Sequence, residues 1–196
     1  MKKRRIPPLF SALLQTTLTL CDGVLFDECG ACPHCGGELS GYDVKKKQFA
    51  IVMEGEQKKV VYVLVKRFLC HGCGQVSLAN QPFYPDTRIG SPVVDLCVTL
   101  GETMPYSRVS SCLAEMGIVV DRWSARNYIR DNHRSVPSVD MFGIRVPLSI
   151  GSLSTLAMGI SGGGRIDGPA LLAACNYPAI TQLSRTRPAG ESGTGI

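Results

Sequence analysis

The sequence predicts an α+β protein in several parts: a small β-ribbon pinned by cysteines, a unit of three helices and a largely irregular C-terminal tail. Three observations predict this class. Two Cys-x-x-Cys-Gly runs, at 32–36 and 70–74, flank residues with strand-like sequence. Three short segments with helical apolar spacing lie between residues 91 and 132. After residue 134 the chain is rich in glycine, serine and proline.

This pattern divides the chain into four parts, and its 196 residues are enough for one or two small domains. The predicted parts are an N-terminal arm and short helix (1–28), the ribbon (29–80), the helical unit (88–134) and a disordered or truncated tail (135–196). The net charge of +5 suits a polyanionic partner. Several of the nine cysteines lie in apolar helical patterns, which predicts a reducing, cytoplasmic setting.

The N-terminus has the outline of a signal peptide, with basic residues followed by an apolar run from 6 to 20. Two prolines open the run, threonines interrupt it, and no Ala-x-Ala-like cleavage site follows. We therefore predict a short helix over about 9–20 that packs Leu9, Leu13 and Leu20. The apolar run at 146–160 is too short to span a bilayer, so no membrane partner is expected.

The two cysteine runs predict a metal site. Each turn presents two thiolates on one side, and two such turns make the closed tetrahedral site that structural Zn²⁺ prefers. The predicted ligands are Cys32, Cys35, Cys70 and Cys73. Cys29, His34 and His71 are reserve candidates, because Cys29 and Cys32 form a second Cys-x-x-Cys pair.

Other uses of these cysteines stay open at this point. Four cysteines could form two disulfides, but such frameworks are typical of short secreted chains. A redox Cys-x-x-Cys motif is expected once, in a βαβ setting, and not twice. A rubredoxin-like iron site would use similar turns. Visible colour would distinguish iron from zinc.

The residues between the cysteine runs predict a hairpin. Residues 48–54 and 59–69 are apolar and β-branched, with a glycine-containing turn at 55–57 and a short third strand at 75–78. With the two cysteine turns, this pattern is a zinc ribbon. Such a small unit has little core, so metal binding would supply much of its folding free energy. Its lysines and arginines fit either a nucleic-acid contact or a solvated face.

A linker is predicted at 80–90, followed by three helices at 91–101, 106–116 and 122–132. Ser91-Pro92 suits a helix start, Gly117 a helix end and Asp121 an N-cap. Short helices with tight turns, the second ending in glycine, are typical of a helix-turn-helix unit.

The third helix carries the DNA prediction. Arg122, Arg126 and Arg130 share one face, with Asn127 beside them, and these side chains contact base edges and phosphates in recognition helices. An ordinary solvated basic face is the alternative. Trp123 and Tyr128, with Ile129, are expected to pack back on the first two helices. The predicted DNA-binding residues are Arg122, Arg126, Asn127 and Arg130, together with Lys66 and Arg67 on the ribbon.

The Cys-Pro-x-Cys-Gly-Gly run at 32–37, the Arg-Phe-x-Cys-x-x-Cys-Gly run at 67–74 and the helices at 92–132 resemble the N-terminal DNA-binding region of insertion-sequence transposases and transposase-like proteins. The resemblance covers roughly residues 29–134. It implies binding to the terminal DNA of a mobile element. In that family a separate RNase H-like domain cuts and joins the strands.

This chain departs from the family in its C-terminal part. After residue 135 its acids are Asp140, Asp167 and Glu191, whereas strand transfer needs acidic residues that converge on divalent metal. The remaining length is also too short for an RNase H-like sheet. No catalytic residue is therefore predicted, and the chain resembles a DNA-binding fragment, a truncated product or a standalone relative.

The sequence as a whole predicts a cytoplasmic, zinc-dependent protein that binds double-stranded DNA and lacks a recognisable catalytic domain. One alternative is a zinc-ribbon module for protein–protein interaction, in which the basic faces serve solubility. The other is a rubredoxin-like iron electron carrier.

Overall fold

The structure is a computed structural model that describes residues 6–131, 135–141, 143–160 and 165–175. These residues form a mixed α+β fold, as predicted. In chain order the elements are α1 (Pro8–Thr19), β1 (Leu25–Phe26), β2 (Leu39–Glu54), β3 (Gln57–Cys70), β4 (Val76–Leu78), α2 (Ser91–Gly101), α3 (Tyr106–Glu115), α4 (Arg122–Asp131), β5 (Ser138–Met141), β6 (Ile144–Pro147), α5 (Leu148–Gly159) and α6 (Gly168–Ala174). Within the described ranges, every helix is too short or too polar to cross a membrane.

Strand β3 is the centre of the main sheet. β2 pairs with one edge of it as a long antiparallel hairpin, from Leu39 opposite Cys70 to Glu54 opposite Gln57. The other edge pairs with the parallel strand β1 and with the antiparallel strand β4. The hairpin and its third strand confirm the prediction. β2 begins at Leu39, well before the predicted residue 48, because its polar first half is exposed on both faces and lacks an apolar alternation.

One hydrophobic core joins the hairpin to the helices. The half of the hairpin nearest its turn buries Phe49, Val52, Val61 and Val63, and these side chains belong to the same cluster as the buried residues of all the larger helices. The half nearest the cysteines is more exposed, especially along β2. The ribbon and the helical unit therefore share a core instead of having one each.

Helix α1 packs through a different face from the one predicted. Leu9 is 79 % exposed and Leu20 is also exposed, whereas Phe10, Leu14 and Leu18 are buried. Both sets have helical spacing, because the segment is apolar on more than one side. The buried set faces the hairpin and α5. The sequence of α1 alone does not show which of its sides these elements cover.

The predicted linker at 80–90 is not a solvent-exposed connection. Gln81, Phe83, Tyr84 and Ile89 are buried, and the backbone N–H of Ser91 donates to the carbonyl of Pro82 at 2.8 Å. The prolines and polar residues that suggested a linker form tight turns between these buried side chains, with Pro85 and Asp86 exposed.

Helices α2, α3 and α4 follow the predicted bounds closely and contact one another. α2 is the central one, with every residue from Ser91 to Leu100 buried. α4 packs Ala125 and Tyr128 inward. The prediction that Trp123 packs against the other helices is wrong, because its side chain is 69 % exposed.

The prediction of a largely irregular tail is wrong for the described part of it. β5 and β6 form a hairpin, and α5 and α6 bury Ile150, Leu153 and Leu171 in the common core. α5 lies against α1, where the hydroxyl of Thr17 is 3.5 Å from that of Ser154. The serine on α5 leaves room for this close contact. The serines and glycines of this helix are also what suggested disorder. The predicted disorder at 185–196 lies outside the described residues.

Candidate metal centre

The register of the hairpin brings the two cysteine turns together. The first turn, 32–37, lies just before β2, and the second, 70–75, connects β3 to β4. Leu39 pairs with Cys70 across the ladder, so the start of β2 and the end of β3 lie side by side. The backbone N–H of His71 also donates to the carbonyl of Glu38 at 3.1 Å. The strands thus hold two sequence-distant turns against each other.

The two turns have the same backbone hydrogen bonds. The N–H of Cys32 donates to the carbonyl of Gly37 at 3.1 Å, and the N–H of Cys70 donates to the carbonyl of Gln75 at 3.0 Å. In each turn a backbone hydrogen bond therefore links the first cysteine to the residue five positions later. The two turns are structural repeats, each presenting two sulfurs in the same way.

A glycine after the second cysteine completes each turn. Gly36 and Gly74 have φ angles of 72° and 69°, in the left-handed region that favours glycine. Their N–H groups donate to the carbonyls of Cys32 and Cys70 at 2.8 and 3.0 Å. The positive φ angle at these two positions therefore explains why both cysteine runs contain a glycine there.

The four predicted ligands form one cluster of sulfur atoms. The Sγ atoms of Cys32, Cys35, Cys70 and Cys73 all lie within 4.8 Å of one another. Across the two turns, Cys32 Sγ is 3.6 Å from Cys73 Sγ, and Cys35 Sγ is 3.4 Å from Cys70 Sγ. Tetrahedral zinc with sulfurs at about 2.3 Å requires sulfur–sulfur separations of about 3.8 Å. The cluster therefore has the size that a four-thiolate metal site needs.

Close approach of the turns makes Gly37 a tight position for any larger residue. A Cβ atom added there would lie 3.2 Å from the Sγ atoms of both Cys35 and Cys70. The N–H of Gly37 also points to Cys35 Sγ, 3.4 Å away. Such N–H to sulfur contacts stabilise thiolate charge in metal sites.

The pKa values of Cys32 and Cys35 are shifted in opposite directions. Burial acts to raise the pKa of Cys32, but backbone N–H groups of His34 and Cys35 and the neighbouring thiols outweigh it and lower the pKa to about 6. The N–H of Gly37 favours the Cys35 thiolate, yet hydrogen bonds with Cys70 and Cys73 raise that pKa to about 12. Opposite shifts at neighbouring thiols are typical of sulfur atoms close enough to share a proton.

The reserve ligands lie outside this cluster. Within the described residues, the metal-ligating group contains the four predicted cysteines and neither Cys29 nor His34 nor His71. Every described cysteine is free, so the paired-disulfide alternative has no support. Cys32 and Cys70 are buried, whereas Cys35 and Cys73 are exposed.

Four thiolates around one cation leave no position open for a substrate, so a metal held here would not bind or activate one. The donor set fits Zn²⁺ and also fits iron, because both accept tetrahedral sulfur coordination. The geometry supports a four-cysteine metal site without deciding between the two metals.

The predicted DNA-binding residues of α4 form an exposed face. Arg122, Arg126, Asn127 and Arg130 are all exposed or partly exposed on this helix, opposite the buried Ala125 and Tyr128. The guanidinium of Arg130 is also paired with Asp131 at 2.8 Å.

Aromatic residues at this face were not predicted as functional. Tyr106, at the start of α3, and Trp123 are both exposed, and the arginines of α4 lie against their rings. The sequence signal that could have found Trp123 is its spacing. It falls three residues from Arg126 and four from Asn127, which places it beside the arginine face and not among the packing residues as predicted.

The two predicted residues of the ribbon are already engaged with neighbouring side chains. Arg67 forms an ion pair with Asp43 and lies over the ring of Tyr42, with its guanidinium carbon 5.4 Å from the ring centre. Lys66 lies over the ring of Phe68 at 5.3 Å. Both are half-buried, so they offer less free charge than the arginines of α4.

No protein-family model, curated protein or solved structure matches the chain. The four-cysteine cluster and the surface of α4 are therefore the features that indicate function. The transposase-like character predicted from the cysteine runs remains a resemblance.

Proposed function

We propose that the protein binds double-stranded DNA through α4 and uses Zn²⁺ in the four-cysteine site to hold its ribbon. In this proposal α2, α3 and α4 act as a helix-turn-helix unit, with α4 as the recognition helix in the major groove. The observation that carries the proposal is the solvent-facing side of α4, where Arg122, Arg126, Asn127 and Arg130 follow one another.

The chemistry of that face suits a DNA groove. Arginine binds guanine edges and phosphates through paired N–H groups, and asparagine does the same for adenine. Arg122 and Arg126 form no salt bridge with an acid of the described residues, and both guanidinium groups lie over aromatic rings. Aromatic contacts hold the guanidinium groups in place without neutralising their charge.

The helices beneath this face provide a firm support. α2 is buried along its length, and α3 and α4 both pack against it. Asp121 fixes the start of α4, since its carboxylate accepts the N–H groups of Trp123 and Ser124 at 2.9 Å. A recognition helix held in this way presents its side chains without a large ordering cost.

The proposed role of zinc is to hold the exposed end of the hairpin. At that end β2 makes few apolar contacts, because it is exposed on both faces between Gly41 and Lys46. Metal–thiolate bonds would replace the missing core there. The lysines of this segment, Lys45 and Lys46, would then add phosphate contacts that do not depend on base sequence.

The resemblance to insertion-sequence transposases extends the proposal to the kind of DNA. We infer that the preferred site lies in the terminal sequence of a mobile element. Selection from a pool of random duplexes would reveal a preferred sequence. Enrichment of no sequence at all would contradict this extension while leaving general duplex binding in place.

The direct test combines metal analysis with DNA titration on one purified sample. We expect one zinc per chain and duplex binding that weakens steeply with salt, because neutralised phosphates release counterions. A visible absorption band from an iron–thiolate site would instead support the electron-carrier alternative. Zinc without DNA binding at low salt would contradict the DNA proposal and favour a protein partner.

A further inference from the structure

Trp123 is exposed, although the other aromatic side chain of α4, Tyr128, is buried. It is the only tryptophan of the chain, and 69 % of its surface is open to solvent. Tryptophan is a large apolar side chain, and leaving it in water forgoes the free energy that burial would provide. An exposed ring of this size on a proposed binding face points to a flat partner.

The ring belongs to an ordered stack of arginines and aromatics. Arg126 lies over Trp123, with its guanidinium carbon 5.5 Å from the ring centre, and over Tyr106 at 5.7 Å. Arg122 lies over the same Tyr106 at 5.3 Å. Arg126 therefore links two rings, and Trp123 forms the end of the series. A further planar group on the open side of the indole would continue the stack.

The arginines and the indole ring of this stack suit a nucleotide, which carries both a flat base and a phosphate. Arginines beside an aromatic ring attract phosphate, while the ring itself offers a stacking surface that any base can use. An acidic peptide would satisfy the arginines but would leave the indole face without a flat partner. The net charge of +5 also favours a nucleic acid.

An intact duplex cannot supply this contact, because its base faces are covered by neighbouring base pairs. Only base edges are open in the grooves, and tryptophan offers one N–H donor and no acceptor to read them. A base whose face is accessible must be unpaired, bulged or turned out of the helix.

We propose that Trp123 is a stacking platform for an unpaired nucleobase, so that the protein prefers duplex DNA containing one. The inference rests on the proposed binding of DNA by α4 and adds the form of DNA that this face selects. Arg126 positions the indole from the protein side, and Arg122 and Arg126 bind the phosphates that flank the stacked base.

The test uses the natural fluorescence of Trp123, which reports this position alone because the chain has no other tryptophan. The probes are a short, fully paired DNA duplex and the same duplex with one central unpaired adenine. Affinity is measured by anisotropy of a dye on the DNA, and indole emission is recorded in the same titration. We expect the bulged duplex to bind about tenfold more tightly, within the range for one base stacked on an aromatic ring, and to quench the indole more strongly.

Variants separate stacking from general binding. Trp123→Ala should remove the preference for the bulged duplex while the paired duplex still binds, and Trp123→Phe should keep most of it. Leu9→Ala, which removes another exposed apolar side chain, should keep the full preference. Since Trp123 is exposed, these variants should fold normally, which circular dichroism checks.

Two failures are distinguishable. Equal affinity of the two duplexes, or a preference that survives in Trp123→Ala, would overturn the stacking inference and leave DNA binding by α4 intact. Absence of binding to either duplex at low salt would overturn both proposals. Equal quenching of the indole emission by the two duplexes would also contradict stacking of the unpaired base on Trp123.

Discussion

The backbone N–H of Gly90 donates to the carbonyl of Phe49 at 2.8 Å, and the Cα of Gly90 lies so near the Phe49 ring that an added Cβ atom would be 2.3 Å from a ring carbon. This contact joins the start of α2 to the outer edge of β2. It is one of the points at which the hairpin is fixed to the helices.

Gly90→Ala should destabilise the fold for a purely steric reason. The φ angle of Gly90 is −59°, which alanine adopts without strain, so the collision with Phe49 is the whole effect. We expect a loss of about 1–3 kcal/mol, the usual cost of overpacking a core. Urea denaturation measures it. Gly30→Ala is the matched control, since nothing lies within 4 Å of a Cβ atom there. Equal stability of the two variants would contradict the contact.

Cys70→Ser should abolish tight metal binding but should not unfold the whole protein. In the proposal the metal holds the cysteine turns, whereas most of β3 is packed in the common core. We expect amide exchange to accelerate at the turns, 32–37 and 70–75, and along the exposed part of β2 at 41–46, while Val61, Val63 and Val65 stay protected. Cys29→Ser is the control and should retain one metal per chain. Retained metal in Cys70→Ser, or its loss in Cys29→Ser, would show that the ligand set is different.

Arg126→Ala should weaken duplex binding and reduce its salt dependence. Loss of one phosphate contact lowers the slope of log affinity against log salt by about 0.9. Loss of a base contact would add a sequence-dependent decrease of about 1–3 kcal/mol. Lys58→Ala removes the same charge from the exposed turn end of the hairpin and should leave the affinity within about twofold, or about 0.4 kcal/mol. Identical effects of both variants would mean that α4 has no special role.

Asp121→Ala should destabilise α4 by about 1 kcal/mol, the usual value of an N-cap. Hydrogen bonds from the hydroxyl and backbone N–H of Ser124 lower the pKa of Asp121 below its ordinary value. The native state therefore binds this proton less readily than the unfolded chain does. Stability from Asp121 is complete above about pH 5 and declines as the pH falls through the ordinary carboxyl range near about 4.

The pH dependence provides the check on this cap. The difference in unfolding free energy between the wild type and Asp121→Ala should shrink as the pH is lowered from about 6 to about 3, by the linkage argument. The control is Glu56→Gln, an exposed change at the hairpin turn, which should leave stability nearly unchanged. A difference that grows on acidification would contradict the cap.

Leu153→Ala should show that the described C-terminal helices are part of the fold. Leu153 is fully buried on α5, so its truncation should cost about 2–5 kcal/mol. Leu148→Ala, on the same helix but 42 % exposed, is the matched control and should cost less than about 1 kcal/mol. Thermal unfolding compares the two. Equal, small effects would mean that α5 is loosely attached in solution.

Local chemistry explains which features the sequence could predict. The four-cysteine cluster follows from two short turns, at 32–37 and 70–75, whose geometry is set by hydrogen bonds within each turn. The starts and ends of α2, α3 and α4 follow from caps such as Asp121 and from the glycine at 117, whose φ angle is 77°. These signals depend only on neighbouring residues.

Features that depend on distant packing were not predicted correctly. Phe10 and Leu14 of α1 face the protein core, and Leu9 and Leu13 do not, because the hairpin and α5 lie on the side of Phe10 and Leu14. α5 was missed because its serines and glycines suggested a loop, while its buried face is completed by α1 and α6. The exposure of Trp123 likewise depends on how α4 is rotated against α2.

In the proposed metal-bound protein, sulfur–metal bonds hold the two cysteine turns and apolar packing holds the rest of the hairpin. The core residues of β3 run from Val61 to Phe68, and the sulfur cluster lies beyond them at the far end of the hairpin. The supply of metal in the cell would then govern only the far end. A chain made during a shortage of the bound metal would keep its helices yet offer two loosened turns to proteases. Cellular degradation would in this way remove metal-free copies selectively.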